Sequence, residues 1–378
     1  MKYNPGHFQP NVWQRITKII SSNRIGSAYL FSGPEGTGKE AAALAFSAAL
    51  NCQGNEIICG SCSSCVRFSS LQHEHLHVII PLPRKKANFD KDTDVLSIIG
   101  DDNAALLTDL LQKKGTDPFQ KINIPRAKRI LINSIRELRK KLYLKSVDSG
   151  YKMVLIFDAH CLSDGDGASA NALLKLLEEP PKKTTVILVT DYKSMLLSTI
   201  QSRCQQIDFP PISHDIVSTY LTDRGIHSGE AEFYANLADG NIHKARFLAD
   251  RTVAEILKTM KDQVEAVVNS NGDGWRSYIN NMSRMVRSDP NNFKFHLFLL
   301  QTWFQQSVRF RQNISSPLAQ NGFGEALKTF TTSYPQANLT TANSVIETTI
   351  ASINRNFYMP LTLTNMLIDI QHYLKGKA

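Results

Sequence analysis

Over the first 208 residues, short apolar runs alternate with amphipathic stretches, a pattern that predicts strands at 28–32, 77–81, 153–157 and 185–190. Between them the spacing predicts helices at 13–21, 39–50, 126–142 and 168–177; in the third, Leu131, Ile135, Leu138 and Leu142 fall on one face. Strand and helix in alternation point to an α/β domain built on a parallel sheet. The stretch 81–124 interrupts this rhythm. It is polar and charge-mixed, with an apolar segment around Ala104–Leu111, and reads as an insertion carrying one helix and no legible role. Pro210-Pro211 closes the α/β part, since neither proline suits a central strand or a helix interior. Beyond it the pattern is helical to the end, in a short region at 209–252 and a longer one at 253–378 that is rich in aromatic and apolar residues. Three domains are expected.

Composition changes this picture little: 42% of residues are apolar and 20% charged, ordinary for a soluble globular protein. No apolar run is long enough to span a bilayer and no signal-peptide pattern opens the chain, so a cytoplasmic, non-membrane protein is expected. Charge adds more. The net charge is +9, and residues 113–145 alone hold eleven Lys and Arg against Asp117 and Glu137, a surplus equal to that of the whole chain. Such a segment is either a solvated helix face or a surface for nucleic-acid phosphate.

Two motifs carry candidate chemistry. Gly33-Pro34-Glu35-Gly36-Thr37-Gly38-Lys39-Glu40 follows the first predicted strand and opens an Ala-rich helix, with Gly33, Gly38 and Lys39 at P-loop spacing. Backbone N–H groups and a helix N-terminus suit such a loop to phosphate oxygens. The residue after the lysine ordinarily supplies a hydroxyl to Mg²⁺. Here it is Glu40, which can ligate a metal but brings negative charge towards the phosphates. The second motif is Cys52, Cys59, Cys62 and Cys65, spaced C-x6-C-x2-C-x2-C. Four thiolates at such spacing suit tetrahedral Zn²⁺ in a closed, structural site; an iron–sulfur cluster is the alternative, without other redox features to accompany it. Cys161 and Cys204 lie far off and read as ordinary thiols.

A P-loop followed by this cysteine cluster resembles the AAA+ subunits of the bacterial sliding-clamp loader in the DNA polymerase III holoenzyme. The likeness continues through Arg24–Gly33, where Ser27 replaces a usual histidine, through His75–Ile79, and through Ile132–Leu142 with Gly150–Val154. Its most specific part is Ala170-Asn171-Ala172-Leu173-Leu174-Lys175-Leu176-Leu177-Glu178-Glu179-Pro180-Pro181, with Thr199-Ile200-Gln201-Ser202-Arg203-Cys204 after the next strand. Asn354, Asn356 and Leu361 resemble the pattern of the family's oligomerising collar helices. The resemblance implies an AAA+ P-loop domain at 1–208 with a zinc module at 52–65 and the insertion at about 81–124, a small helical lid at 209–252, and an all-α collar at 253–378.

The family contains ATP-hydrolysing motor subunits and a delta-prime kind that has lost hydrolysis. Motor subunits end the third strand in an Asp-Glu pair. Here alignment puts Phe157 at the metal position and Asp158 at that of the water-polarising glutamate; a one-residue shift makes Asp158 the metal ligand and Ala159 the partner. The next strand ends in Thr190-Asp191, an acid placed badly for a γ-phosphate, and His243 takes the place of a lid arginine, with Lys244 or Arg246 as possible substitutes. Arg203 is intact, and the resemblance makes it a trans arginine finger for a neighbour's ATP. The degenerate nucleotide site then comprises Gly33, Gly36, Gly38, Lys39, Glu40, Asp158 and Thr190, with ATP and Mg²⁺ binding doubtful and Zn²⁺ as the structural cofactor. Implied partners are gamma/tau-like motor subunits and a delta subunit in a hetero-pentamer, the sliding clamp and primer–template DNA. Alternatives are an active gamma/tau-type ATPase, a subunit that binds nucleotide without hydrolysing it, and a zinc-containing DNA-binding scaffold with a fossil P-loop.

Overall fold

The computed structural model describes residues 5–83, 93–143, 150–165, 167–269, 272–314, 323–353 and 357–376. They divide into two compact units, Met1–Val217 with Asp239–Lys244, and Ser218–Ala238 with Ala245–Ala378.

The first unit is built on five parallel strands: β1 (Ala28–Ser32), β2 (Leu76–Ile79), β3 (Lys152–Ile156), β4 (Thr184–Thr190) and β5 (Gln205–Asp208), in spatial order β2-β3-β4-β1-β5. Side chains of a strand point alternately to its two faces. Tyr29, Phe31, Met153, Leu155, Ile187 and Val189 enter one core with helix Lys39–Leu50, while Leu30, Val154, Ile156, Val186 and Leu188 enter another with helices Ile132–Tyr143 and Ala168–Glu178. Helices on both faces explain why β1 and β4 read as unbroken apolar runs rather than as alternation.

Four of the strands lie where the apolar runs predict them. β5 was not predicted: it is an edge strand of mostly polar residues, Gln205-Gln206-Ile207-Asp208, with only Ile207 buried. The third predicted helix starts later than expected, at Ile132. Upstream of it the backbone turns at Arg126 with φ 65°, and Arg129 forms an antiparallel bridge with Leu82. Among the described residues the insertion carries two helices rather than one, Val95–Ile99 and Asp101–Thr116. Ile98 and Ile99 are buried in the sheet's core, and at Gly115 the second helix lies so close to the cysteine module that a Cβ would stand 3.0 Å from the Ser69 carbonyl oxygen.

The segment Asp239–Lys244 belongs to this unit through backbone hydrogen bonds, Ile242 N–H to Gly36 O at 3.0 Å and Ile212 N–H to Gly240 O at 3.1 Å. The second unit is helical. Its long helix Pro290–Arg311 buries Phe293, Leu297, Leu300 and Phe304; helix Leu339–Ser352 packs with it, and helix Met359–Leu374 packs in turn against Leu339–Ser352, with Ile346, Leu363 and Leu367 buried. Helix Val253–Val268 opens on a reciprocal capping box between Thr252 and Glu255. Leu361 is exposed on the last helix, whereas Asn354 and Asn356 lie outside the described residues. Among the described residues no helix is long and apolar enough to cross a membrane.

Candidate functional site

The P-loop leaves β1 at Ser32 and re-enters regular structure at helix Lys39–Leu50. Gly36 has φ 73°, and a Cβ there would stand 1.9 Å from Asn241 Oδ1, so the loop's tip accepts only glycine against the Asp239–Lys244 segment. Gly33 and Gly38 also take positive φ, and the Gly33 carbonyl faces inward to Lys39.

Lys39 is 4% exposed, and its ammonium group is fully engaged by the loop and by Asp191. It donates to Gly33 O at 2.8 Å and Pro34 O at 2.5 Å, and pairs with Asp191 Oδ1 at 2.8 Å. An ammonium has three N–H donors, so none is left over for a phosphate in this arrangement. The Asp191 carboxylate thus holds the group that a P-loop lysine would offer to a ligand. Burial pushes Asp191 upward, but Lys121 and Lys39 outweigh it and keep its carboxyl below the usual range.

Glu40 is answered from the insertion. Lys114 Nζ meets Glu40 Oε2 at 2.5 Å and also donates to Gln120 O at 2.8 Å and Pro118 O at 3.2 Å, which accounts for its three donors. The Lys114 side chain is fully buried, and its ammonium lies 5.1 Å from the centre of the Phe157 ring. Lys121, also from the insertion, stands 3.5 Å from Asp191 and 3.6 Å from both Asp158 and Glu35. Burial works against the Lys121 charge, yet the surrounding carboxylates raise its pKa above the ordinary lysine value.

The end of β3 shows which residue of the degenerate acidic motif faces the loop. Phe157 and Ala159 are both in the core, on opposite faces of the sheet, while Asp158 alone lines the pocket, at φ 46°. Burial raises the Asp158 pKa, with Lys121 opposing it. Thr190 is fully buried; its hydroxyl accepts from Tyr192 N–H at 3.0 Å and lies 3.2 Å from His160 Nδ1. His243 also lines the pocket, and burial lowers its pKa. The space remaining among these residues is about 20 Å³, on the order of a single water.

Gly33, Gly36, Gly38, Lys39, Glu40, Asp158 and Thr190 are therefore gathered at one place in the first unit. Lys114 and Lys121 were missed, because the insertion showed no motif. The available signal was Glu40 itself, since a carboxylate in a buried loop calls for a cation.

Arg203 does not line this pocket. It follows helix Ser198–Gln201, is about one-third exposed, and bonds Glu178 Oε1 at 2.7 Å and Thr199 O at 2.9 Å.

The four cysteines of the second motif converge, with sulfurs all within 4.8 Å of one another and Cys59 Sγ to Cys65 Sγ at 4.0 Å. Four sulfurs about 2.3 Å from one zinc stand roughly 3.8 Å apart, so the group can hold such an ion after small adjustment. N–H groups point at the sulfurs: Cys59 N to Cys52 Sγ at 3.4 Å, Cys62 N to Cys59 Sγ at 3.3 Å and Cys65 N to Cys62 Sγ at 3.4 Å. Those of Cys62 and Ser61 pull the Cys59 thiol down to about 6, towards the thiolate that binds metal, while burial pushes Cys65 up to about 12. Burial likewise pushes Cys161 and Cys204 up to about 12, as suits inert thiols.

A family model described as DNA polymerase III, delta subunit, matches residues 8–213. The chain is 31% identical over 232 residues to the DNA polymerase III subunit delta′ of Bacillus subtilis, covering 61% of this chain and 56% of that one. It is 29% identical over 272 residues to the DNA polymerase III subunit tau of the same organism, covering 68% and 40%. The matches thus span about half the length of these relatives. Among solved structures, a DNA polymerase III gamma subunit-related protein of Thermotoga maritima aligns over 96% of this chain and 99% of its own, at 14% identity and a TM-score of 0.39.

Proposed function

The chain belongs to the family described as DNA polymerase III, delta subunit, and from that we propose that it serves as a delta-prime-like subunit of a sliding-clamp loader, with no ATP hydrolysis of its own. The observation that carries this reading is the state of the P-loop: Lys39 is held by Asp191 and by its own loop, and Phe157 is turned into the core. Phosphoryl transfer depends on positioned positive charge and a metal, and these residues supply neither to a bound nucleotide.

In this reading Arg203 acts in trans, as an arginine finger reaching the ATP of a neighbouring gamma/tau-like motor subunit. Its exposure and its permanently charged planar fork suit that task, although it must first leave Glu178. The parts at 1–208, 209–252 and 253–378 work as P-loop domain, lid and collar, the collar joining motor and delta subunits in a hetero-pentamer that loads the clamp on primer–template DNA in the bacterial cytoplasm. Zn²⁺ is the metal assigned to Cys52, Cys59, Cys62 and Cys65, in a structural role.

Reconstitution with motor subunits tests the reading. The purified chain should hydrolyse no ATP, and Arg203→Ala should leave assembly intact while lowering turnover at the adjoining site by about 10³-fold or more. Hydrolysis by the chain alone, abolished by Lys39→Ala, overturns it.

A further inference from the structure

Glu35, Glu40, Asp158 and Asp191 bring four carboxylates to the P-loop pocket, and the loop itself supplies only Lys39 against them. A pocket so charged would repel a triphosphate and, left alone, would destabilise the fold, because buried charges need partners. The partners come from one place: Lys114 and Lys121, both in the insertion between β2 and β3.

We propose that this insertion is an intramolecular occupant of the P-loop, in which Lys114 and Lys121 provide the positive charge that a metal ion would bring, so that the site is filled, neutralised and closed to nucleoside triphosphates from within. Lys114 is the principal element. Its ammonium sits on Glu40, at the position where a P-loop hydroxyl would face Mg²⁺, and two carbonyls of the insertion, those of Pro118 and Gln120, take its remaining donors. Pro118 and Phe119 line the same pocket, so backbone as well as charge from the insertion fills it. Lys121 bridges the acids at the ends of β3 and β4, Asp158 and Asp191, and through Asp191 keeps Lys39 turned away from any ligand. The insertion also has its own anchorage in the core through Ile98 and Ile99, so the two lysines are held in place by the fold rather than by each other.

The inference extends the reading of a subunit without hydrolysis, and the experiment separates the two. In the full chain, unfolding by denaturant is measured for Glu40→Gln, Lys114→Met and the double variant. The expected result is strong coupling, the double variant being at least about tenfold more stable in its folding equilibrium than the two single effects predict. Asp158→Asn with Lys121→Met gives a second cycle at less buried positions, which remains measurable if the first variants fail to fold. A fluorescent ATP analogue with Mg²⁺, titrated to about 1 mM, should show no saturable binding to the unaltered chain. Additive cycles overturn the proposal, and so does saturable binding without hydrolysis, which leaves the reading of a non-hydrolysing subunit standing. ATP hydrolysis by the unaltered chain overturns that reading as well.

Discussion

Asp158, Phe157 and Ala159 are three neighbours with three fates, decided by which way each points at the end of one strand. Phe157 continues the alternation of β3, on the face of Met153 and Leu155, until the left-handed turn at Asp158 breaks it. That turn leaves Asp158 in the pocket and sends Ala159, which opens a short 3-10 turn, into the opposite core. The sequence left two alignments of this motif open; in both, one member of the acidic pair is missing, and that much was legible from residue types alone. The partner of Glu40 was not legible, because Lys114 lies 74 residues away and only packing of the insertion brings them together. His77 on β2 gives a separate prediction at this scale. Burial, with Lys141, Lys152 and His75 nearby, lowers its pKa to about 4. At neutral pH the ring is uncharged in both folded and unfolded chains. Below about 6.5 the unfolded chain takes up a proton that the folded one refuses, so stability falls as pH drops and levels off near pH 4. Because the ring is partly exposed, the loss attributable to it should be roughly 1–2 kcal/mol. Urea unfolding between pH 7 and pH 4 should show a shallower decline for His77→Leu than for the unaltered chain.

Elements were legible where burial on both faces forces an apolar run, as at β1 and β4, and obscure where an edge relaxes that demand. β5 pairs in register with β1, Tyr29 opposite Gln205 and Phe31 opposite Ile207, yet its outward residues are polar and carry no periodic signal. The helix starting at Ile132 looked longer in sequence because Leu131 matches its apolar face, although the backbone there bridges to Leu82 two residues earlier. The cysteine module shows the opposite case, an element announced by spacing alone. Its knuckle N–H groups hold the sulfurs together, Cys65 is buried, and Phe68, on the same short helix, enters the sheet's core. Chelation, or Cys62→Ser, should release one equivalent of zinc per chain and lower the melting temperature of the fold by several degrees, corresponding to ~1 kcal/mol or more. Metal analysis alongside a thermal melt checks this; a chain that melts unchanged without metal would exclude a structural role.

At the scale of the whole molecule, the basic segment 113–145 turns out to serve more than one purpose. Lys114 and Lys121 face inward to the P-loop, Lys113 and Lys141 pair along their own helices with Asp109 and Glu137, and Lys145 lies outside the described residues. A count of charges could not separate these uses, since the division depends on where the insertion folds. Arg203 and Glu178 offer a test that belongs to the assembled particle. An exposed pair contributes about 0–1 kcal/mol, so Glu178→Ala should barely alter stability. If Arg203 serves a neighbour's ATP as proposed, the same variant in the reconstituted loader should maintain or raise ATP turnover, the reverse of Arg203→Ala, because it frees the guanidinium from its resting partner. Gly115 joins the remaining parts of the first unit. With no side chain there, the helix bearing Lys114 rests directly on the backbone at Ser69 and Ser70, at the end of the helix that begins beside Cys62. The short helix capped by Cys62 is thus a footing for the cation that balances Glu40, and any side chain added at position 115 would have to lift that cation's helix off it.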